Sequence, residues 1–127
     1  MPHFEKHFTP DEANALVPEL AELLTAVRSL RDQLVVDWEQ ARPVLRATPH
    51  NGGGMEANPF LQDICQLNRR VHRLVELGVL LKDVDRGLVD FPAWRDEREV
   101  FLCWHLGEER VAFWHELDSG FAGRQPL

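Results

Sequence analysis

The residues that could carry out chemistry are concentrated in the last quarter of the chain. Residues 103–124 contain two tryptophans, two histidines, one cysteine and four carboxylates. Surface turns rarely need this combination, so the segment predicts either a ligand-binding site or a polar network that stabilises a small fold. The candidate binding residues, with one from an earlier turn, are Asp90, Trp104, Glu108, Trp114, His115, Glu116, Asp118 and Arg124.

A divalent-metal site is the most specific chemical interpretation of this segment. Imidazole, thiolate and carboxylate groups are metal ligands, and the candidates are His115, Glu116 and Asp118, with Cys103 and His105 as further ones. The spacing matches no known signature, since neither His-Glu-x-x-His nor paired Cys-x-x-Cys occurs. Adjacent strand residues point to opposite faces, so His115 and Glu116 cannot both bind one ion from that strand. The alternative is that both only form hydrogen bonds within the fold.

The hairpin register decides which of these side chains share a face of the sheet. A two-residue turn at Gly107-Glu108 would place Cys103 and His105 on one face and His115 on the other. A three-residue loop would shift one strand by a residue and bring His105 and His115 together. The first register gives the more uniformly apolar face, so it is the one expected. Cys103 and His105 could form a Cys–His nucleophile, but apolar neighbours predict a buried, inert thiol.

A helical hairpin is predicted for residues 10–78. Thr9-Pro10-Asp11-Glu12 combines a cap, a proline suited to the first helical position and a capping box. Pro18 should kink this helix or mark the start of its straight part, and Pro43 and Pro49 should end it. Its apolar residues recur every three or four positions; they are Leu16, Leu20, Leu23, Val27, Leu30, Leu34 and Trp38.

A second helix is predicted from Asn58-Pro59 to Gly78, after a glycine-rich connection centred on Asn51-Gly52-Gly53-Gly54. Its apolar positions have the same period; they are Phe60, Ile64, Leu67, Val71 and Leu74. Matching periods favour antiparallel packing of the two helices. The first helix offers the longer apolar seam, and the surplus predicts a homodimer built through the helices.

The second part of the chain predicts a small antiparallel β-meander over residues 79–118, followed by a tail at 119–127. The expected strands are Val79–Val84, Leu88–Phe91, Glu99–Leu106 and Val111–Leu117. Pro92 should end the second strand. Residues 3–8 alternate and predict one more short strand, with His3 and His7 at the surface. The fold class is therefore α+β in one domain, residues 1–127.

Composition restricts the partner classes. The net charge is −7, which argues against nucleic-acid binding. No apolar run approaches the roughly 18 residues that span a bilayer, and the N-terminus does not have the pattern of a secretion signal. The two cysteines, Cys65 and Cys103, lie among apolar residues, which predicts buried thiols in a reducing compartment. A cytoplasmic protein that does not bind membranes is the expectation.

Several motifs, taken together, resemble a small bacterial family catalogued as a domain of unknown function. The residues concerned are Phe8-Thr9-Pro10-Asp11-Glu12-Ala13-Asn14, Leu16-Val17-Pro18-Glu19-Leu20, Asn51-Gly52-Gly53, Lys82 to Ala93 with Gly87-Leu88-Val89-Asp90-Phe91-Pro92, Cys103 to Glu108, and Trp114 to Pro126 with Trp114-His115-Glu116-Leu117-Asp118 and Gly120-Phe121-Ala122-Gly123-Arg124. The resemblance implies a stand-alone bacterial cytoplasmic protein and brings no known activity, cofactor or catalytic residue.

Two functions remain open on the sequence alone. The leading one is a binding or interaction protein that self-associates through its helices. The alternative is a metal-binding protein or metal-dependent enzyme that uses the C-terminal His/Glu/Asp cluster, with a small molecule or a metal ion as ligand. We also expect Arg124 to fasten the tail by pairing with Asp90, Glu116 or Asp118.

Overall fold

The computed structural model describes the backbone of residues 1–47 and 58–127, and the side chains of residues 1–40 and 58–127. The predicted glycine-rich connection and Pro49 lie outside the described residues. The elements in chain order are α1 (Pro10–Ala47), α2 (Pro59–Leu77), β1 (Leu80–Asp83), β2 (Leu88–Arg95), β3 (Arg98–His105), β4 (Phe113–Glu116), a 3₁₀ turn (Phe121–Gly123) and β5 (Gln125–Pro126). The five strands form one sheet in chain order, with antiparallel neighbours. The α+β prediction is confirmed.

The helix ends follow the capping residues of the sequence. At the start of α1, Thr9 N–H donates to the Glu12 carboxylate at 2.9 Å, and Glu12 N–H donates to Thr9 Oγ1 at 3.1 Å. This reciprocal pair is the predicted capping box. The Asn58 side chain accepts a hydrogen bond from Phe60 N–H at the start of α2, and Gly78, with φ 83°, ends that helix.

The predicted end of α1 at Pro43 is wrong, because the helical backbone continues through Pro43 to Ala47. A proline removes one helical hydrogen bond, and this does not by itself end a long helix.

The two helices form an antiparallel hairpin whose base covers the sheet. Arg73 near the end of α2 pairs with Glu19 near the start of α1 at 2.7 Å. At the other end, the rings of Trp38 and Phe60 lie 5.5 Å apart. The buried apolar residues of α1 stop at Val27, so only the first half of this helix contributes to the core among the described side chains.

β2 continues through Pro92, where the sequence had predicted an end. Pairing between β1 and β2 extends only to Asp90, opposite Leu80. The Pro92 carbonyl points to the side where β1 has ended and accepts a hydrogen bond from Phe8 N–H at 2.8 Å. The missing N–H of Pro92 faces the same side, so no ladder hydrogen bond is lost. Residues 3–8 are extended but do not form the predicted strand.

The sheet has one apolar face and one mixed face. The face toward the helices is part of a buried core that includes Phe91, Leu102, Trp104 and Trp114 together with Leu20. Side chains at the intervening positions of each strand point to the opposite face. That face presents Asp90, Phe101, Cys103, Phe113 and His115.

The register of β3 and β4 differs from the expected two-residue hairpin. Phe101 pairs with His115 and Cys103 with Phe113, which places Cys103 and His115 on the same face. A turn does form at Gly107, where Glu108 N–H donates to the His105 carbonyl. The chain then continues through residues 108–112 before β4 begins. None of the helices in the described part of the chain is long and apolar enough to cross a membrane.

Candidate functional site

A buried Asp–His pair lies on the mixed face of the sheet. Asp90 in β2 and His115 in β4 are 3% and 2% exposed. His115 Nε2 lies 3.0 Å from Asp90 Oδ1. Asp90 pairs with Cys103 across β2 and β3, and β3 in turn pairs with β4. The two residues therefore interact over the central strand.

The other nitrogen of the imidazole ring fixes its tautomer. His115 Nδ1 lies 2.7 Å from the Glu116 carbonyl oxygen, which can only accept a hydrogen bond. Nδ1 therefore bears a hydrogen. Nε2 faces a carboxyl oxygen at hydrogen-bond distance, so a proton must lie between Nε2 and Asp90 Oδ1.

Cys103 completes a three-residue cluster with this pair. One donor atom each from Asp90, Cys103 and His115 lies within 4.8 Å of the others, and all three residues are buried. Burial, with the nearby Asp90 carboxyl group, raises the pKa of the Cys103 thiol to about 12. A thiol with this pKa is protonated at neutral pH and is a poor nucleophile. The burial of Cys103 thus agrees with the expectation of an inert thiol. The expectation of a buried thiol is wrong for Cys65, which is exposed on α2.

Arg124 fastens the C-terminal tail through Glu108. Arg124 Nη2 lies 2.8 Å from both carboxylate oxygens of Glu108, and it lies 3.5 Å from the Cys103 carbonyl oxygen. The guanidinium carbon is 4.1 Å from the ring centroid of Phe113 and 4.8 Å from that of Phe121. The expected fastening of the tail is present, but the partner is Glu108 instead of Asp90, Glu116 or Asp118. Both side chains are mostly buried, so solvent screens this ion pair weakly.

Replacing Arg124 with lysine should lower the free energy of unfolding by about 1.5–3 kcal/mol, the range for a hydrogen bond to a charged group. Lysine keeps the charge but lacks the planar group that stacks on Phe113 while it bonds Glu108. Urea denaturation measures the change. Arg98→Lys is the matched control, because Arg98 is 56% exposed and pairs with Glu116. It should cost less than about 1 kcal/mol. Equal losses in the two variants would contradict the fastening role.

The structure brings together four of the predicted polar site residues. The Asp90–His115 pair and the Glu108–Arg124 pair are joined through Cys103, whose side chain belongs to the first cluster and whose carbonyl contacts Arg124.

The remaining predicted site residues lie elsewhere. Glu116 pairs with Arg98 at 2.6 Å, and Asp118 is exposed in the turn after β4. Of the three predicted metal ligands, only His115 therefore belongs to the buried cluster. Trp104 and Trp114 belong to the core on the helix side of the sheet. Trp104 still contacts the network of Asp90, Cys103, His115, Glu108 and Arg124 from the opposite face of the sheet, because its Nε1–H donates to the Glu108 carbonyl at 2.9 Å.

A comparison with known protein families assigns the chain to one of them. The model of an uncharacterized conserved protein family, DUF2203, matches residues 6–127. The chain belongs to this family. Comparisons with curated proteins and with solved structures find no match. The matched range of the DUF2203 family includes every residue of the buried network, from Asp90 to Arg124.

A second polar cluster was missed by the sequence reasoning. The Glu99 side chain, 6% exposed, accepts hydrogen bonds from the N–H groups of His3 and Phe4 at 2.6 and 3.1 Å. Its carboxylate oxygens also lie 2.9 Å from His3 Nδ1 and 2.8 Å from His7 Nε2. His7 stacks on Trp94 at 4.4 Å. The expectation that His3 and His7 are only surface residues is wrong for His7, whose side chain is 14% exposed. No local pattern in the sequence pairs residues 3–7 with position 99.

Glu99 should make stability depend on pH in the acid range. Burial alone would raise the pKa of Glu99, but hydrogen bonds from His3, His7 and Phe4 outweigh it and lower the pKa to about 2. A lowered pKa means that the carboxylate contributes stability above its unfolded pKa of about 4.3, and that this contribution is lost as the pH falls toward 2.

Wild type should therefore lose more unfolding free energy than Glu99→Gln between pH 5 and pH 3, as measured by urea denaturation at each pH. Glu97→Gln, in the adjacent exposed turn, is the control and should follow the wild type. Parallel curves for wild type and Glu99→Gln would contradict the prediction.

Proposed function

We propose that this chain is a small cytoplasmic bacterial interaction protein that self-associates through its helical hairpin. The observation that supports this proposal is a set of large apolar side chains exposed on both helices. They are Val35 (60% exposed), Val36 (52%) and Trp38 (41%) on α1, and Val71 (36%) and Val75 (67%) on α2. The three on α1 lie toward the end of the hairpin where Trp38 meets Phe60, and the two on α2 lie toward the end where Arg73 meets Glu19. Exposed apolar groups that cluster on a surface are typical of interaction sites.

The lengths of the helices favour a second copy of the chain as the partner. α1 has 38 residues and α2 has 19, which correspond to about 57 Å and about 29 Å of helix. Trp38 contacts Phe60 at the start of α2, so α2 lies beside only part of α1. Val71 and Val75 are four residues apart and share one face of α2. A two-fold axis would let each hairpin cover the apolar positions of the other, as in a four-helix arrangement.

Light scattering on the purified chain at tens of micromolar tests the proposal. We expect a mass of twice the 14.7 kDa of one chain. Val36→Asp and Val75→Asp should each weaken the dimer by at least about tenfold, because the interface would bury an unpaired charge. Both positions are exposed within one chain, so the variants should fold. Leu127→Asp is the control, since Leu127 is also an exposed apolar residue, at 44%, but lies beyond the hairpin.

A monomeric wild type would contradict self-association. So would a dimer that both helix variants leave intact, because the contact would then lie away from the hairpin. Free Cys65 on the surface of α2 is compatible with the reducing cytoplasm, and it serves as an internal probe. If its thiol reacts with a maleimide reagent more slowly in the wild-type dimer than in the Val36→Asp variant, the dimer contact covers this part of α2. Equal rates would mean that α2 stays accessible at this position in the dimer.

A further inference from the structure

We propose that Asp90, Cys103 and His115 bind one Zn²⁺ or a similar divalent transition-metal ion, with the cysteine bound as its thiolate. The proposal is independent of self-association. It rests on three donor atoms of different chemistry that lie within 4.8 Å of one another. Imidazole, thiolate and carboxylate are the protein ligands of zinc, and three of them leave a fourth position for water or substrate.

The fold already holds the His115 ring in the orientation that a metal ligand needs. Metal-binding histidines usually donate their second ring N–H to a carboxylate or a backbone carbonyl. His115 Nδ1–H donates to the Glu116 carbonyl in this way at 2.7 Å, which directs the Nε2 atom toward Asp90 and Cys103. The three residues lie on β2, β3 and β4, so the sheet holds their backbones in place.

The donor distances need only small side-chain adjustments to hold an ion. Tetrahedral zinc with ligands at about 2.0–2.3 Å separates neighbouring donor atoms by about 3.3–3.8 Å. His115 Nε2 and Asp90 Oδ1, now 3.0 Å apart, would separate by a few tenths of an ångström to admit the ion. The remaining donor pairs lie at or below 4.8 Å, so the thiolate would move inward.

Charge balance also favours a divalent ion. Bound to Zn²⁺, the three residues would supply a carboxylate, a thiolate and a neutral imidazole around a dication. The ion with its three protein ligands would then carry no net charge, which suits a site buried in the sheet. The nearby Arg124 and Glu108 compensate each other.

Cobalt titration of chelator-treated protein tests the site directly. Co²⁺ adopts zinc geometry, and bound thiolate gives a near-ultraviolet charge-transfer band. We expect saturation at one ion per chain, with this band, and displacement by Zn²⁺. Cys103→Ser should remove the band and weaken binding by more than about 100-fold. Cys65→Ser should leave both unchanged, because Cys65 is the other cysteine and is exposed.

Asp90→Asn gives a second variant that keeps the volume and the thiolate. It should keep the charge-transfer band but weaken binding, whereas His72→Gln, an exposed histidine, should change nothing.

The wild-type titration decides the matter even if a variant folds poorly. A wild-type Co²⁺ spectrum without a thiolate band would overturn the proposal, as would no binding of either metal. A band that persists in Cys103→Ser and disappears in Cys65→Ser would assign the metal to the surface and would also overturn it.

Discussion

The His115→Leu variant should lose about 3 kcal/mol or more of unfolding free energy. The substitution removes the partner of a carboxyl group that is 3% exposed, and a buried polar group without its partner is costly. Leucine also cannot donate to the Glu116 carbonyl, which accepts from His115 at 2.7 Å. Urea denaturation in the presence of a chelator measures the loss without any contribution from bound metal.

A double-mutant cycle separates this interaction from general damage to the fold. Asp90→Leu should be similarly destabilised, and the Asp90→Leu/His115→Leu double variant should be more stable than the sum of the two losses implies. The coupling energy should be about 1–3 kcal/mol. His72→Leu is the control, because its ring is 74% exposed, and it should remain within about 0.5 kcal/mol of the wild type. A His115→Leu variant as stable as this control would contradict the assignment.

Local chemistry made the helical hairpin predictable from the sequence. The capping box at Thr9 and Glu12, the Asn58 cap and the left-handed Gly78 are each determined by residues within one turn of the helix end. Such local interactions do not depend on the rest of the fold. The strand positions were also largely predictable, since alternation and turn residues bound them.

The register of β3 and β4 could not be predicted from the turn alone. A turn does form at Gly107, but Val111 N–H donates to the Asn14 side chain of α1 at 2.7 Å, and the Val111 side chain is buried in the core. These tertiary contacts with α1 draw residues 108–112 out of the hairpin. β4 therefore starts at Phe113, and the one-residue change in register moves His115 to the face of Cys103.

The candidate site was only partly predictable for the same reason. Asp90 and His115 were both among the candidate binding residues, and both are buried. The two residues are 25 positions apart in the sequence, and their contact depends on the register of β3 and β4. Glu99 has its partners more than 90 residues away, in a segment without regular secondary structure, so no spacing could indicate it.

Trp104 should be the most sensitive position of the core. Its side chain is 1% exposed, and its Nε1–H donates to the Glu108 carbonyl at 2.9 Å. Trp104→Ala should cost about 3–5 kcal/mol of unfolding free energy, through the lost burial and the cavity left behind. It should also loosen the loop that presents Glu108 to Arg124.

Comparison among tryptophan variants makes the prediction for Trp104 specific. Trp104→Phe keeps most of the buried ring but loses the hydrogen bond, so it should cost about 1–3 kcal/mol. Trp94→Ala is the control, because Trp94 is 53% exposed and contacts His7 at the sheet surface. It should cost about 1 kcal/mol or less. Because Trp104 connects the helix-side core to Glu108, Trp104→Ala should also remove most of the further loss caused by Arg124→Lys, so that the two changes are not additive. Additive losses would mean that the core and the tail contact are energetically independent.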